Sequence, residues 1–332
     1  MDCKQSVRTV EVVLQCTELR EAQAFFVETL GFRVDTIFPA DDPAVAVLSA
    51  YGVLLRLQRR GAHAPDEVPP NKPSFVLSKI SERATWKVGR ADMRYRDLIP
   101  GRQGGRFIAS HIRIPESGEV PDYVHFHNIR FQMIYCYQGW VRVVYEDQGP
   151  PFVLNAGDCV LQPPQIRHRV LECSAGLEII EIGCPAEHAT HTDHELALPT
   201  KKVCAHRDFQ GQRFVRHVAQ AATWQPWRVG GFESRDTGIA AATVGLAGAR
   251  VVRPLRSPTD SLHAPVCSVD VEFLFTFVLQ GSVSLQREEQ DPERLEAGDC
   301  FTMPAGLRYG LTGCSDDLEF LEVSLPAEFE TL

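Results

Sequence analysis

The apolar residues of this chain fall in short runs that glycine, proline, asparagine and aspartate interrupt. Within these runs apolar and polar positions alternate, or the run is continuously apolar, as in half-buried or fully buried strands. Short strands with frequent turns are typical of sandwiches and small barrels. The pattern therefore predicts a mainly β protein. The clearest runs are FIASHIRI (107–114), FQMIYCY (131–137), WVRVVYE (140–146), CVLQ (159–162) and LEIIEI (177–182).

The N-terminal part of the chain has a different pattern. A strand-like run, VEVVLQC, is followed by apolar residues at helical spacing from Ala22 to Leu30. Gly31 then stands where a glycine commonly ends a helix. Three more strand-like runs follow, FRVDTIF, AVAVLSA and VLLRLQR. Residues 1–60 are therefore predicted to form a small α+β module of order βαβββ.

The remainder of the chain contains an internal repeat. Three segments recur at an offset of 141 positions, which indicates two units of similar fold. The matched segments are 156–170 with 297–311, 86–89 with 227–230, and 177–182 with 318–323. We place the two units at residues 81–200 and 221–332, with linkers at 61–80 and 201–220.

Two histidines stand at alternate positions of one predicted strand in the first unit. The strand period of two points His125 and His127 to the same face, which is the interior of a closed barrel. Gln132 lies five residues after His127, and His168 lies eleven residues after Gly157. One interpretation of these residues is that they are hydrogen-bonded core histidines and not metal ligands.

This spacing resembles the two signature motifs of the cupin superfamily, G-x5-H-x-H-x3-4-E-x6-G and G-x5-P-x-G-x2-H. The resemblance implies a double-stranded β-helix, or jelly-roll barrel, with these three histidines as metal ligands. The chain departs from the pattern in three ways. Gln132 takes the glutamate position, Gln165 replaces the glycine of the second motif, and one extra residue separates Gly118 from His125.

The second unit has no ligand residues at the matching positions, which hold Cys267, Val269, Leu274 and Tyr309. The resemblance therefore implies a bicupin in which the second barrel is degenerate and metal-free. The predicted number of metal ions is one per chain. A metal-free ligand pocket in the second unit is the alternative to a purely structural role.

Three neutral imidazoles suit Fe(II), and they also accept Mn, Ni, Cu or Zn. A site that lacks a carboxylate keeps the full charge of a divalent ion, which favours an anionic, chelating substrate. The amide oxygen of Gln132 binds metal weakly. Gln132 is therefore either a distant fourth ligand or a hydrogen-bonding neighbour of the ligands.

Other residues are candidates for catalysis or substrate binding. Tyr123 shares the predicted metal-facing side and could donate a proton, or it could pack with its hydroxyl hydrogen-bonded. Cys136 lies on the same predicted face, and Arg106 could bind a substrate carboxylate. His111 and Arg113 line the pocket only if the polar face of the strand at 107–114 is inward, which alternation does not decide.

His188, His191 and His194 form an HxxHxxH run. A period of three fits neither a helix face nor a strand face, so we expect an extended connector. A secondary metal site is the alternative.

The N-terminal module resembles half of a vicinal oxygen chelate (glyoxalase and bleomycin-resistance) domain, through its βαβββ order and its FFVETLGFRV stretch. Metal-binding members of that superfamily pair a first-strand His or Gln with a last-strand Glu. Here Gln15 could serve on the first strand, but the last strand offers Arg56. Such modules work in pairs, so the resemblance implies a pairing role, and we expect a homodimer.

Composition argues against a nucleic-acid-binding protein and against a membrane-spanning protein. Acidic residues outnumber basic ones by 43 to 34, giving a net charge of −9, and no basic cluster suggests nucleic acid binding. The chain shows no signal-peptide pattern and no apolar run of the ~18 residues that span a bilayer. Ten scattered cysteines favour reduced thiols. We expect a cytoplasmic protein that is not bound to membranes.

The leading hypothesis is a mononuclear non-haem Fe(II) dioxygenase that acts with O2 on a small aromatic or dicarbonyl acid. It follows from the resemblance to three-histidine cupins. One alternative is a redox-neutral metal-dependent isomerase, lyase or hydrolase. Another is a bicupin that binds or senses a small ligand without transforming it.

Overall fold

The computed structural model describes residues 10–62, 68–81, 86–255, 266–288 and 290–332. Its secondary structure is mainly β, as predicted, with only short helices between the strands. Within these residues no helix combines the length and the apolar character that crossing a membrane requires.

The N-terminal module has the predicted βαβββ order. Strand β1 runs parallel to β4, and the strands lie in the order β1-β4-β3-β2. Helix α1 packs Leu19 against the buried Ala46, Leu48, Leu55 and Leu57 of the sheet. The elements are β1 (Glu11–Cys16), α1 (Leu19–Ala24) with a π-helical turn (Phe25–Thr29), β2 (Arg33–Phe38), β3 (Val45–Ala50) and β4 (Val53–Arg59).

The first unit follows a connecting strand, β5 (Val76–Ser78). Its strands are β6 (Lys87–Val88), β7 (Arg94–Asp97), β8 (Ile108–Ile114), β9 (Gly118–Glu119), β10 (His125–His127), β11 (Phe131–Gln138), β12 (Trp140–Tyr145), β13 (Phe152–Asn155), β14 (Cys159–Leu161), β15 (His168–Cys173), β16 (Leu177–Cys184) and β17 (Thr190–Thr192). A 3-10 turn (Arg90–Asp92) and the short α2 (Arg102–Gly105) connect its first strands.

The second unit follows β18 (Asp208–Phe209), β19 (Gln212–Arg213), β20 (Val215–His217) and a 3-10 turn (Ala219–Ala221). Its elements are β21 (Gln225–Pro226), β22 (Phe232–Asp236), α3 (Ile239–Ala242), β23 (Gly248–Pro254), β24 (Phe273–Gln280), β25 (Ser282–Arg287), β26 (Glu293–Glu296), β27 (Cys300–Thr302), β28 (Tyr309–Thr312) and β29 (Glu319–Leu325).

Each unit is a sandwich of an outer and an inner sheet. In the first unit the outer sheet contains β17-β10-β15-β12-β13, and the inner sheet runs β20-β14-β11-β16-β8-β7-β6. Strand β2 pairs with β17, so the sheet of the N-terminal module continues into the outer sheet. The module is therefore hydrogen-bonded, through β17, to the strand that carries His125 and His127.

The two segments expected to be linkers each contain a strand that completes the opposite unit. Strand β5, which precedes the first unit, pairs with β27 of the second, and β20 pairs with β14 of the first. A buried aspartate stabilises each of these connections. Asp158 accepts a hydrogen bond from the backbone N–H of Ala219, and Asp299 accepts one from the backbone N–H of Ile80. The units are therefore interlocked rather than joined by free linkers.

The inner sheets of the two units pack against each other across one apolar core. Phe107 and Phe273 stack there with ring centroids 4.2 Å apart. Because this interface covers the outward faces of the inner sheets, both faces of those strands are largely buried, and polar residues such as His111 and Glu178 are buried with them. This is the physical reason why alternation could not decide which face of β8 points inward.

Glycines at matching positions confirm the repeat. Gly139 joins β11 to β12 and Gly281 joins β24 to β25, with φ of +78° and +69°. Both adopt the left-handed conformation that side chains disfavour.

Gly281→Ala is expected to lower the free energy of unfolding by about 2–3 kcal/mol. Left-handed strain contributes about 1 kcal/mol and crowding the rest, since the new Cβ would lie 2.8 Å from the Leu318 nitrogen. Denaturant unfolding measures the change. Gly176→Ala is the control, because Gly176 has φ +66° but its new Cβ would meet no atom within 4 Å. Equal losses would contradict the crowding argument.

Candidate metal centre

A cavity of ≈ 100 Å³ lies inside the first unit, between its outer and inner sheets. Its walls are largely apolar, with a group of polar side chains gathered together. The polar and charged lining residues are Asp41, Arg90, Tyr95, Ser110, His125, His127, Gln132, Tyr145, Gln162, His168, Glu181 and His188.

Strand register brings the three predicted ligands together. His125 on β10 lies directly opposite His168 on β15, and their ring centroids are 4.2 Å apart. His127 is two residues further along β10 and faces the same side. One nitrogen from each ring lies within 4.8 Å of the others, close enough for one ion to bind after small side-chain movements.

Hydrogen bonds to carbonyl groups fix the tautomers of two of these imidazoles. The Nδ1–H of His125 donates to the Tyr123 carbonyl at 2.8 Å, and that of His168 donates to the Ile166 carbonyl at 3.0 Å. The Nδ1 of His127 lies 3.2 Å from the Thr190 hydroxyl. A carbonyl can only accept, so Nε2 of His125 and His168 keeps its lone pair for a metal.

Burial keeps the three rings neutral. It lowers the pKa of His125 and His127 well below the ordinary value, and it lowers the pKa of His168 to about 4. The neighbouring Arg90 guanidinium also lowers the pKa of His125. Metals bind the neutral imidazole, so this environment favours coordination.

Gln132 lies on β11 and lines the same cavity. Its Nε2 donates to Glu181 Oε1 at 2.5 Å, whereas its Oε1 is buried with no hydrogen-bond partner among the described residues. Buried polar atoms are rarely left unpaired. An unpaired amide oxygen beside three imidazoles fits a site built for a cation.

Glu181 on β16 is a buried carboxylate that the sequence analysis did not select. Burial raises its pKa above the ordinary value, although the hydrogen bond from Gln132 acts in the opposite direction. A glutamate in the apolar run LEIIEI was a usable signal. The run also contains Glu178 on the opposite face, so the sequence alone did not show which glutamate is inward.

Arg90, also missed, supplies a cation to the cavity. It forms an ion pair with Asp122, which is itself fully buried, and Asp122 also accepts the Val170 N–H at 2.8 Å. Burial would lower the pKa of Arg90, but Asp122 raises it above its ordinary value. The backbone N–H of Arg90 donates to the backbone carbonyl of Ala40 in the N-terminal module, so the module helps to position this residue.

The HxxHxxH run does not form a metal cluster in the described structure. His188 lines the cavity, 5.2 Å from the ring of His127, with Nδ1 3.2 Å from the Pro185 carbonyl. His191 instead contacts Thr36, and His194 contacts Asp35. The run is extended through β17, so its side chains diverge.

The candidate Tyr123 and a second tyrosine, Tyr145, which was not predicted, have different positions. Tyr123 does not line the cavity, and its ring lies edge-on to His125 at 5.9 Å, so its carbonyl rather than its phenol serves the site. Tyr145 does line the cavity and stacks on His168 with ring centroids 5.4 Å apart. Burial raises the pKa of Tyr145 above its ordinary value.

The structure does not bring His111 or Arg113 into the cavity. Ile108, Ser110, Ile112 and Ile114 of β8 face inward. His111 and Arg113 point to the other face and hold Glu178, at 2.6 Å and 2.9 Å.

Two further substrate-binding candidates lie away from the cavity lining. Arg106 pairs with Glu272 of the second unit at 2.6 Å. Cys136 faces the interior of the first unit but packs in its apolar core, where burial raises the pKa of its thiol to about 12. That thiol stays protonated at neutral pH, so it is a packing residue.

Solved structures share this architecture. The chain is similar to salicylate 1,2-dioxygenase from Pseudaminobacter salicylatoxidans, with a TM-score of 0.58 and 14% identity over 81% of this chain and 90% of that one. Protein YlbA from E. coli gives 0.56 and 11%, over 79% and 95% of the two chains. Oxalate decarboxylase from Bacillus subtilis gives 0.54 and 11%, over 81% and 79%.

The chain has the bicupin fold. At such identities the likeness establishes the fold alone. The sequence matches no protein-family model and no curated protein.

The second cupin of this bicupin retains the strand register without the ligands. Cys267 bridges Tyr309 in the way that His125 pairs with His168. Leu274 lies opposite Ser324, as Gln132 lies opposite Gly183. The one three-residue ligand group found among the described residues is in the first cupin.

Proposed function

We propose that this bicupin is a dioxygenase that uses one divalent metal, with Fe(II) favoured, and acts on a small anionic substrate that chelates it. The observation that carries the proposal is the convergence of three neutral imidazoles beside the uncharged Gln132 in an enclosed cavity. Such ligands leave the charge of a divalent ion uncompensated, which favours an anion. Iron bound there would supply oxygen chemistry that side chains lack.

Arg106 and Arg113 were the predicted candidates for binding the substrate carboxylate, and Arg90 is the arginine that lines the cavity instead. Its guanidinium lines the cavity, and its Nε–H has no partner among the described residues. A buried guanidinium can donate to a carboxylate with defined geometry. Asp122 holds the group in place, so Arg90 can orient an anion beside the imidazoles.

The rest of the wall favours a substrate with an apolar body. Isoleucine, valine and leucine side chains from both sheets line the cavity: Ile108, Ile112, Ile114, Ile134, Val141, Val143, Leu154, Val170, Leu177 and Ile179. A compact aromatic or dicarbonyl acid, anionic at one end, matches this division. The fold is shared with enzymes named for salicylate and oxalate, which are small organic anions.

A redox-neutral reaction is the second candidate, and the observation that favours it is the pair Glu181 and His188. Both line the cavity, and burial raises the pKa of Glu181 while it lowers that of His188. The lowered pKa of His188 favours a neutral imidazole that can accept a proton, and the raised pKa of Glu181 makes that carboxyl group easier to protonate. An isomerase, lyase or hydrolase would use them.

Oxygen consumption separates these candidates. The protein would be stripped of metal, loaded anaerobically with one equivalent of Fe(II), and screened with small aromatic and dicarbonyl acids in an oxygen electrode. We expect oxygen uptake matched to substrate loss, and no uptake with Zn(II). Turnover that continues without oxygen would select the redox-neutral reaction. Saturable binding of an acid without any turnover would select a non-catalytic ligand-binding protein.

A further inference from the structure

The contact with Glu181 sets the orientation of the Gln132 amide. The amide nitrogen, not the oxygen, faces this carboxyl group, because Nε2–H donates to Glu181 Oε1. The contact is 2.5 Å long and both residues are buried within the cavity wall. The amide oxygen is thereby directed away from Glu181, and it has no other partner among the described residues.

The second cupin shows what this glutamate does where other residues stand at the matching ligand positions. Glu322 is the repeat counterpart of Glu181, and Arg228 neutralises it through contacts of 2.5 Å and 2.6 Å. The counterpart of Arg228 is Lys87, whose side chain is 60% exposed and pairs with Asp42 instead. In the first cupin, Glu181 therefore accepts an N–H from the Gln132 amide, whereas Glu322 in the second cupin accepts from the Arg228 guanidinium.

We propose that Glu181 is a positioning residue that holds the Gln132 amide with Oε1 toward the metal, so that the site comprises three imidazole nitrogens and one amide oxygen. This inference rests on the metal site of the proposed function, but not on the oxygen reaction. Neighbours that orient metal ligands commonly change metal affinity by about 10–100-fold when replaced. Glu181 would act on the metal only through Gln132.

Substitutions at Gln132 and Glu181 test the inference. Mn(II) affinity would be measured without substrate, from the electron paramagnetic resonance signal of the free ion, with thermal melting to confirm folding. Glu181→Gln leaves an amide facing an amide, so the orientation of Gln132 is no longer imposed. We expect Mn(II) affinity to fall by about 10–100-fold. Gln132→Leu, which copies Leu274 of the second cupin, should lower it to a similar degree.

The double variant Gln132→Glu with Glu181→Gln should restore Mn(II) affinity to at least that of the natural protein. The new amide donates to one carboxylate oxygen, and the other oxygen faces the metal. Glu178→Gln is the matched control, since Glu178 lies on the same strand with its side chain on the opposite face. That control should leave Mn(II) affinity unchanged.

Three results would overturn the inference. If Glu181 is itself the ligand, Gln132→Leu is neutral and the double variant stays weak. If the pair is only structural, melting temperatures fall while Mn(II) affinity holds. If the natural protein binds no Mn(II) or Fe(II), the metal site of the proposed function fails as well, which distinguishes that failure from the other two.

Discussion

Replacing His168 with alanine is expected to abolish stoichiometric metal binding. His168 lies opposite His125 in the strand register, and its loss leaves two imidazoles to hold the ion. Replacing residues that merely orient ligands costs about 10–100-fold in affinity, so loss of a ligand should cost more than ~100-fold. Elemental analysis after Fe(II) loading, together with Mn(II) titration, measures the change.

His191→Ala is the matched control for this experiment. His191 belongs to the same outer sheet, but it contacts Thr36 and Asn128 and stacks on Phe126, away from the cavity lining. This variant should bind one metal per chain, like the natural protein. Equal metal content in the His168 variant and the natural protein would refute the metal centre.

Arg90→Met is expected to be among the most destabilising single changes in the first cupin. It leaves the carboxylate of Asp122 buried without its cation, since the side chain of Asp122 is 0% exposed and that of Arg90 is 9% exposed. Breaking a buried pair from one side typically costs about 3–5 kcal/mol. Denaturant unfolding would show the loss, and binding of anionic substrates should weaken in parallel.

Two comparisons test whether the unpaired carboxylate of Asp122 causes the loss of stability. Arg20→Met removes an ion pair whose side chains are 65% and 78% exposed, and it should cost less than about 1 kcal/mol. Adding Asp122→Asn to Arg90→Met should recover much of the stability, because the amide oxygen still accepts the Val170 N–H without an uncompensated charge. Similar losses for Arg90→Met and Arg20→Met would show that the buried pair contributes little.

The N-terminal module contributes to the wall of the cavity rather than standing apart from it. Ala40 and Asp41, between β2 and β3, line the cavity, and Asp41 pairs with Arg102 of the first cupin. On β1 and β4, Glu11 pairs with Arg56, the residue that stands where a ligand glutamate was sought. Pairing of two modules in a homodimer stays a prediction.

Local pattern predicted a mainly β chain, and the resemblance of its histidine spacing to the cupin motifs implied the ligand group. Side-chain alternation fixes the shared face of His125 and His127 whatever surrounds the strand. The repeat fixes the number of units, and it identifies Tyr309 as the counterpart of His168. These features depend on contacts within a strand or between equivalent segments, so the sequence carries them directly.

The sequence could not predict which charged residues reach the cavity. His111 and Ser110 are neighbours on β8. Because Phe107 packs against Phe273 in the core between the two cupins, Ser110 faces the cavity and His111 faces away from it. Both faces of β8 are largely buried, so the expectation that polar residues face solvent could not assign His111 and Arg113 to either side. The same packing explains why β5 and β20 looked like linkers, since each is stabilised by a strand far away in sequence.

The sequence by itself therefore determined a mainly β chain, two repeated units and three histidines aligned for one ion. The tertiary structure decided that Arg90, Glu181 and His188 reach the cavity and that Gln132 Oε1 has no hydrogen-bond partner among the described residues. The reason is physical: alternation and spacing act over a few residues. Burial, charge pairing and hydrogen-bond direction are set by elements that meet only when both cupins and the N-terminal module have packed together.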